Sequence, residues 1–378
     1  MANDHLDNNA QLQILDKEYA FSRVYPSLNI TAKIKQRTED FVVEEHIAVT
    51  FSGEGEHCWV YIKKTGCNTD WLAQQIAKYC GIKKMAVAYA GLKDRHAVTS
   101  QWFSVQLPGK PMPDWSKFES SFAVYVSANS ASVEIDGGES IQVLKSFRHN
   151  KKLQRGALKS NHFKIILRDI SDTDDKIFEQ LKIRCDVISK EGVPNYFGTQ
   201  RFGRNGNNLD QALKLFSKSR FKVARQKRSM YLSAARSWMF NYMVSERVDG
   251  NVWNRRIPGD VFMLDGKSAC FRDDAREVGQ LVQRLASNAI HPTAILWGEG
   301  DTMVESQSAK LQSRIINQFP AYRDGLVAAR LQAMQRACRV VPAALTCCRQ
   351  ADNFIVSFSL PAGSYATMVL AEIFSDLR

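Results

Sequence analysis

Asn353-Phe-Ile-Val-Ser-Phe-Ser-Leu360 is the stretch that decides the fold. Phe354, Val356, Phe358 and Leu360 fall at every second position, which predicts a strand with one buried face. This strand follows a long region of helical pattern, and the other strand patterns lie mainly in the first half of the chain. We therefore predict a β-rich α+β domain that a helix-rich insertion interrupts, with the late strand returning to the first domain's sheet.

The first half of the chain contains the remaining strand patterns and one clear helix. Asn68 offers a helix cap, apolar residues follow at helical spacing, and Gly81 stands where the helix would end. The predicted strands cover residues 40–45, 58–63, 85–90, 101–107 and 163–167. After Pro194 the pattern becomes helical, over residues 209–244, 276–286 and 323–339.

The chain of 378 residues is basic, with 51 lysines and arginines against 39 acidic residues, a net charge of +12 and a pI near 9.3. Such a surplus favours a polyanionic partner such as nucleic acid. Hydrophobic residues make up 44%, which excludes a disordered chain and a disulfide-stapled mini-protein. No stretch is apolar for the roughly 18 residues that a membrane helix needs, and the polar start resembles no signal sequence. We expect a cytoplasmic protein without a membrane partner.

The segment Ala90-Gly-Leu-Lys-Asp-Arg-His-Ala-Val-Thr-Ser-Gln-Trp102 contains the most informative charges. Residues 91–100 are polar and lie between two predicted strands, so they form a loop, a common place for chemistry on a rigid scaffold. Lys93 and Arg95 flank Asp94 and favour its ionised form, which suits a nucleophile or a general base. A solvated turn with incidental charges is the alternative, and the spacing alone does not exclude it.

Two basic clusters lie further along the chain, as phosphate contacts along a nucleic acid would require. The first covers residues 145–164, a segment without any acidic residue. Its cations are Lys145, Arg148, Lys151, Lys152, Arg155, Lys159 and Lys164. The second, Lys218, Arg220, Lys222, Arg225, Lys227 and Arg228, lies near aromatic Phe216, Phe221 and Tyr231. Because stacking groups between cations suit splayed RNA bases, we favour RNA over a merely solvated helix face.

The cysteine and histidine spacing predicts no metal site. The chain has eight cysteines and seven histidines, with no C-x-x-C and no H-E-x-x-H arrangement. It also lacks the G-x-x-x-x-G-K-[ST] phosphate loop and a G-x-G-x-x-G turn after a strand. These patterns support neither a metal site nor a dinucleotide or S-adenosylmethionine pocket.

Two long motifs resemble a known family. Gly91-Leu-Lys-Asp-Arg-His-Ala-Val-Thr-Ser-Gln101 resembles the signature of the TruD family of tRNA pseudouridine synthases. Gly192-Val-Pro-Asn-Tyr-Phe-Gly-Thr-Gln-Arg-Phe-Gly203 is similar to its second hallmark. Shorter matches are Glu39-Asp-Phe-Val-Val-Glu44, Gly156-Ala-Leu-Lys-Ser-Asn-His-Phe163, Leu232-Ser-Ala-Ala-Arg236 and Leu360-Pro-Ala-Gly-Ser-Tyr-Ala-Thr367. They follow the family's order over most of the chain, and this outweighs the solvated-turn interpretation.

The resemblance implies an α+β pseudouridine synthase domain with a mixed, largely antiparallel sheet. Its first part would cover residues 1–193, of which 1–20 form a loose tail. The family's insertion domain would cover 194–340, and the catalytic domain's final strand and helix 341–378. The target base would enter a cleft between the two domains, and a monomer is the default expectation.

The resemblance also implies roles for individual residues. Asp94 would be the catalytic aspartate, Asn161 would hold its carboxylate through a hydrogen bond, and Phe163 would stack on the base. Lys35 matches a lysine that family members place near the aspartate. Thr38 stands where many members have proline, so Lys33 is an alternative. As RNA-binding residues we predict Lys93, Arg95, Arg148, Lys151, Lys152, Arg155, Arg201, Arg225, Lys227 and Arg228.

The reaction that the resemblance implies converts uridine 13 of tRNA into pseudouridine and needs neither a metal ion nor an organic cofactor. The ionised Asp94 could attack the sugar C1′, attack the base C6 or abstract a sugar proton, and the sequence does not choose between these routes. The first alternative function is a non-catalytic RNA-binding or RNA-folding protein on the same scaffold. The second alternative is another tRNA-modifying enzyme, such as a methyltransferase, but the sequence lacks the turn that would bind its cofactor. The third is a small-molecule hydrolase, which would leave the two basic clusters unexplained.

Overall fold

The computed structural model describes residues 21–129, 138–217 and 222–378, and the expected tail, 1–20, lies outside them. The chain forms two compact units. The sheet unit comprises Leu28–Ser189, Pro342–Gly363 and Ile373–Arg378. The helix-rich unit comprises Lys190–Val341 and Ser364–Glu372, together with residues 21–27 of the described chain. The segment Ser364–Glu372 thus groups with the helix-rich unit, whereas the sequence assigned all of 341–378 to the catalytic domain.

The described chain contains both strands and helices. The strands are β1 (Thr31–Ala32), β2 (Phe41–Ile47), β3 (His57–Thr65), β4 (Val87–Tyr89), β5 (Val98–Gln106), β6 (Ser140–His149), β7 (Leu158–Leu167), β8 (Val193–Pro194), β9 (Val261–Leu264), β10 (Cys270–Arg272), β11 (Ile290–Leu296), β12 (Met334–Ala337), β13 (Arg339–Val340), β14 (Ala343–Gln350), β15 (Asn353–Pro361) and β16 (Asp376–Leu377). The α-helices are α1 (Thr69–Tyr79), α2 (Trp115–Asn129), α3 (Asp175–Glu191), α4 (Asn207–Ser217), α5 (Arg225–Asp249), α6 (Val278–Ala286), α7 (Ser306–Asn317), α8 (Pro320–Ala328) and α9 (Ala366–Ala371).

An eight-stranded mixed sheet is the frame of the sheet unit. Its order is β14-β15-β7-β2-β5-β3-β6, with β4 paired to β5. The β2–β5 pair is parallel, and the other described pairs of this sheet are antiparallel. The return of strand 353–360 is confirmed, because β15 pairs with β7 and sets Phe358 opposite Phe163. The expected α+β fold with a mixed, largely antiparallel sheet is thus observed.

One face of this sheet packs under helix α1. Side chains of β3 and β5, among them Val60, Ile62 and Phe103, join Leu72 and Ile76 of the helix in one buried cluster. Asn68 caps the helix, since its side chain accepts a hydrogen bond of 2.9 Å from the Asp70 amide. The helix that the sequence predicted here is confirmed, and it covers the sheet beside the loop of residues 91–97.

The helix-rich unit contains a second sheet as well as helices. Four antiparallel strands lie in the order β10-β9-β11-β12, and β8 pairs with β13. The long helix α5 contributes Trp238, Phe240 and Met243 to a large buried cluster that also includes Ile295 of β11. The described part of the insertion is therefore a mixed helix-and-sheet body.

One sequence prediction of this region is wrong. Residues 323–339 were expected to be helical, but α8 ends at Ala328 and β12 begins at Met334. The physical reason is tertiary, because β12 pairs with β11 in a four-residue antiparallel ladder. The helical pattern predicted over residues 209–244 is observed as two helices, α4 and α5. In the described residues, we find no helix that combines the length and the apolar character that crossing a membrane requires.

Candidate active site

The loop of residues 91–97 connects β4 to β5 and carries the predicted catalytic aspartate. Asp94 accepts a hydrogen bond of 2.6 Å at Oδ2 from Nζ of Lys35. Both side chains are partly open to solvent, with exposed fractions of 27% for Lys35 and 41% for Asp94. A carboxylate is thus presented at the surface of the sheet unit with a cation in direct contact.

The backbone before β2 fixes the position of Lys35. This residue has a positive φ of 57°, and its Nζ lies 4.3 Å from the centre of the Phe41 ring. A cation over an aromatic face is attracted by the ring quadrupole. The alternative lysine, Lys33, pairs instead with Asp169 at 2.9 Å. The geometry therefore selects Lys35 as the partner of Asp94.

The buried Lys64 contacts the backbone of the loop that carries Asp94. This fully buried side chain of β3 donates a hydrogen bond of 3.0 Å to the carbonyl oxygen of Asp94 and one of 2.6 Å to that of Cys67. Burial lowers the pKa of Lys64 to about 8. Since the amine contacts the backbone of Asp94 and not its carboxylate, Lys64 is a positioning residue.

A second lysine–carboxylate pair lies directly beside the first. Lys93 Nζ donates to Oε1 of Glu45 at 2.5 Å, and the other oxygen of Glu45 accepts from the Trp102 amide at 3.0 Å. The exposed fractions are 8% for the Lys93 side chain and 0% for that of Glu45. Lys93 was predicted to bind RNA, and this is corrected here: a buried amine in an ion pair is not available to a phosphate.

Two polar side chains complete the support of the loop. Thr69, at the start of α1, accepts a hydrogen bond of 3.0 Å from the Lys93 amide and donates one of 2.8 Å to Gln101. Gln101 in turn donates to the carbonyl oxygen of Gly91 at 3.3 Å. The first part of the loop is therefore held by side chains of β5 and of α1.

Asn161 and Phe163 lie on the same sheet face as Glu45. In the register of β2 and β7, Asn161 is opposite Glu45 and Phe163 is opposite Val43. The Phe163 ring is 7% exposed and packs 6.2 Å from Phe41 and 5.6 Å from Phe358, centre to centre. Through Phe41 the ring adjoins the Lys35–Asp94 pair.

The hydrogen bond expected between Asn161 and Asp94 is not formed in this structure. The Oδ1 atom of Asn161 is buried and has no hydrogen-bond partner among the described residues. Asp94 is instead bonded by Lys35. Asn161 thus offers a buried acceptor on the sheet face that carries Phe163, and its role stays a prediction.

Five exposed cations of the predicted RNA-binding set lie in two places of the described chain. Lys151 and Lys152 follow β6, and Arg225, Lys227 and Arg228 lie in the first turn of α5. The positive end of the helix dipole repels cations at a helix N-terminus, so an anion bound nearby would be favourable. These positions suit phosphate contacts, which stay a prediction.

Three others are engaged with the protein itself. Arg95 pairs with Glu139 at 2.9 Å. Arg148 is half-buried and donates to backbone carbonyl groups, and Arg201 is half-buried and donates to two hydroxyl groups. The side chain of Arg155 lies outside the described part of the structure.

Sequence reasoning missed Glu45 and Lys64. Both had a signal, because they continue the buried periodicity of their strands: Glu45 follows Phe41 and Val43 at every second position, and Lys64 follows Ile62. A charged residue on a buried strand face needs a partner. Within the described chain, no group of three or more histidine, cysteine or acidic residues is arranged to hold a metal ion.

The arrangement can present an ionised oxygen to an electrophilic carbon or a proton. The support is polar and fixed, the carboxylate is reachable, and the lysine offsets charge that develops during a reaction. An aromatic ring and a buried amide oxygen lie on the adjoining sheet face. These are the elements of covalent or general-base catalysis on a flat, unsaturated substrate.

Comparison with known proteins supplies the context. The family model described as "tRNA pseudouridine synthase D (TruD)" matches residues 22–212 and 207–373. A tRNA pseudouridine synthase D from Methylococcus capsulatus is 42% identical over 352 residues, covering 93% of each chain. One from Hydrogenovibrio crunogenus is 41% identical, covering 94% of this chain and 96% of the relative. A crystal structure from Methanosarcina mazei, described as a candidate tRNA pseudouridine synthase D, has a TM-score of 0.67 at 18% identity and covers 96% of this chain and 97% of its own. This last likeness concerns the fold alone.

Proposed function

This chain belongs to the TruD family of tRNA pseudouridine synthases, and we propose that it isomerises uridine 13 of tRNA with Asp94 as the catalytic carboxylate. The enzyme class, an isomerase that forms pseudouridine in tRNA, follows from the family. The position in tRNA and the role of Asp94 are the finer part of the proposal. The observation that carries it is the exposed Asp94 carboxylate, paired at 2.6 Å with Lys35 above a buried polar support.

The reaction breaks the N1–C1′ glycosidic bond, turns the uracil and joins C5 to C1′. The base gains a proton at N1 and loses the one at C5, so nothing is oxidised and no group leaves. Asp94 would attack C1′ or C6, or remove a sugar proton while the uracil departs as an anion. In each route the Lys35 ammonium offsets negative charge close to the reacting atoms. In this proposal Asp94 supplies the reactive oxygen, and Lys35 supplies the positive charge that offsets the negative charge formed in the reaction.

The detached base must stay in the site while it turns. Extruding a nucleotide from its stack costs a few kcal/mol, and stacking on an aromatic ring returns about 1–3 kcal/mol. Phe163 is our candidate for this contact, because a ring surface accepts the base in either orientation. The unpaired Oδ1 of Asn161 would accept a hydrogen bond from an N–H group of the base, which would remove the cost of leaving it unsatisfied.

A single assay tests the activity and its position. The protein is incubated with a tRNA transcript that lacks modifications, and pseudouridine is mapped by a chemical label that stops reverse transcription. We expect one strong stop at position 13. Pseudouridine at another position would overturn the assignment to uridine 13, and a transcript that is bound but unchanged would favour the non-catalytic RNA-binding alternative.

A pair of variants tests the stacking role of Phe163. Phe163→Ala should lower single-turnover conversion by about tenfold to a hundredfold with little loss of tRNA affinity, since phosphate contacts dominate binding. Phe358→Ala is the matched control, because this ring packs against Phe163 from the next strand and is itself fully buried. Both variants lose core packing, so equal losses of conversion would argue against a contact between Phe163 and the base.

A further inference from the structure

Segments that the sequence singled out, and that the active-site loop does not use, meet in the helix-rich unit. Arg201 comes from the 192–203 segment, Ser233 from the 232–236 segment and Tyr365 from the 360–367 segment. Nε of Arg201 donates a hydrogen bond of 2.9 Å to the Tyr365 hydroxyl, and Nη1 donates one of 3.2 Å to the Ser233 hydroxyl. The three segments therefore form one cluster around a guanidinium group.

Arg336, on β12, joins this cluster through an aromatic ring. Its Cζ lies 4.1 Å from the centre of the Phe197 ring, and Cζ of Arg201 lies 5.4 Å from the same centre. Nη2 of Arg336 donates to the side-chain oxygen of Asn195 at 2.7 Å and to its carbonyl oxygen at 3.2 Å. Two guanidinium groups are thus held beside one ring.

A third guanidinium group lies on the same side of α5. Ser233, Arg236 and Phe240 are spaced by three and four residues, which places them on one helix face. Cζ of Arg336 lies 5.4 Å from the Phe240 ring centre. Arg236 donates from Nη2 to two backbone carbonyl groups, and its Nε is buried without a hydrogen-bond partner among the described residues. Arg201, Arg236 and Arg336 together form what we call the arginine cluster.

The arginine cluster concentrates positive charge in a partly buried place. Within the described chain, Arg201 and Arg236 make their hydrogen bonds to hydroxyl and carbonyl oxygens and form no ion pair. Burial lowers the pKa of Arg336 to about 10, and the charge of Arg201 acts in the same direction. Cations drawn out of water near one another are costly, and a bound anion offsets that cost.

We propose that the arginine cluster binds one phosphodiester group of the tRNA substrate, an inference that rests on the proposed function. Guanidinium forks match the geometry of phosphate oxygens, and within the described chain no carboxylate already neutralises Arg201 or Arg236. The RNA backbone supplies the anion, and the aromatic and hydroxyl groups that hold the cations limit their reorganisation on binding. These arginines differ from the exposed cations at the start of α5, because their orientation is fixed before RNA arrives.

The test measures tRNA affinity as a function of salt. Each phosphate contact that is lost reduces the slope of log Kd against log [KCl] by about one and weakens binding about tenfold. We expect this result for Arg201→Gln and for Arg236→Gln. Arg276→Gln is the matched control: Arg276 is exposed in the same unit and pairs with Asp274 at 2.7 Å, so its loss should change neither the slope nor the affinity. Wild-type slopes and affinities in both cluster variants would overturn the proposal.

A second set of variants separates a phosphate contact from a structural role. Arg201→Lys and Arg236→Lys keep the charge, so they should keep the salt slope while losing part of the affinity that the fork geometry supplies. Lysine and glutamine variants that lose affinity equally, with the wild-type salt slope, would assign the cluster to folding and overturn the proposal. Thermal unfolding of each variant is measured in parallel.

Two further outcomes separate the proposals from each other. If inorganic phosphate raises the melting temperature of the wild type but tRNA affinity is insensitive to the glutamine variants, the ligand is free phosphate and the phosphodiester proposal is wrong. If the cluster variants lower the salt slope as expected while the wild type forms no pseudouridine, the arginine site stands and the proposed function fails. Binding and conversion are therefore scored separately.

Discussion

Two lysine–carboxylate pairs lie side by side in the sheet unit, and they differ in their surroundings far more than in their geometry. Lys35 meets Asp94 at 2.6 Å, and Lys93 meets Glu45 at 2.5 Å. The carboxylate of the first pair is 41% exposed, whereas that of the second is fully buried. Lys93 and Asp94 are neighbours in sequence, so adjacent residues of one loop lie in a buried and in a solvent-exposed environment.

The same kind of ion pair thus serves two purposes, stability in the buried pair and availability to a substrate in the exposed one. An exposed pair contributes about 0–1 kcal/mol to stability, so Asp94 can leave its partner for a substrate at little cost. Breaking a buried pair by removing one member costs about 3–5 kcal/mol, because the other charge stays buried and unpaired. The Glu45–Lys93 pair therefore fixes the loop, and the Lys35–Asp94 pair remains available for chemistry. Four experiments test this division of roles.

The largest effect should come from Asp94→Asn. We expect conversion to fall by at least about a thousandfold, since an amide is neither a nucleophile nor a base, while tRNA affinity changes by less than about threefold. Single-turnover formation of pseudouridine and filter binding measure the two quantities. Asp169→Asn is the control, as Asp169 forms a similar exposed pair with Lys33. Conversion by Asp94→Asn at the wild-type rate would end the assignment.

Glu45→Gln should lower the free energy of unfolding by about 3 kcal/mol or more, because the Lys93 charge would lose its buried partner. Urea unfolding measures this. Glu44→Gln is matched in sequence but changes an exposed neighbour on the same strand, and it should stay within about 0.5 kcal/mol of wild type. If Glu45→Gln were as stable as Glu44→Gln, the two lysine–carboxylate pairs would not differ as described.

The buried Lys64 predicts a pH dependence of stability. Burial lowers its pKa to about 8 in the folded protein, so between about pH 8 and pH 10 the unfolded chain binds the proton that the native state has released. The free energy of unfolding contributed by this group should therefore rise with pH across that window, by about 2 kcal/mol. Urea unfolding at both ends of the window compares wild type with Lys64→Met.

The control for that measurement is Lys63→Met, which changes an exposed neighbour on β3. The difference in stability between wild type and Lys64→Met should grow with pH, and that between wild type and Lys63→Met should stay constant. A parallel course of the two differences would show that Lys64 titrates as an ordinary lysine.

The smallest of the four effects is expected for Lys35→Gln. Losing the cation beside the proposed catalytic carboxylate should slow single turnover by about fivefold to tenfold, with stability within about 1 kcal/mol of wild type. Lys33→Gln removes an equally charged residue two positions away and should change turnover by less than about twofold. If Lys33→Gln were the slower variant, the selection of Lys35 by geometry would be wrong.

Much of this arrangement follows from the sequence, and the exceptions have a common physical cause. The strand around Phe358, helix α1 and the loop around Asp94 were predictable because local periodicity and turn residues mark them. The strand β12 was not, because its partner β11 lies some forty residues away and pairing overrides local helical pattern. Lys93 was assigned to RNA for the same kind of reason, since only the folded chain brings Glu45 to it.

The late position of β15 also affects how the protein is made. This strand lies between β7 and β14, and its residues leave the ribosome only after residues 190–341 of the helix-rich unit have been synthesised. Until then β7, which carries Asn161 and Phe163, has an unpaired edge on that side, and exposed edges recruit foreign strands. The nascent chain thus passes through a stage in which this strand is vulnerable to aggregation, and a truncation before Asn353 should yield insoluble material.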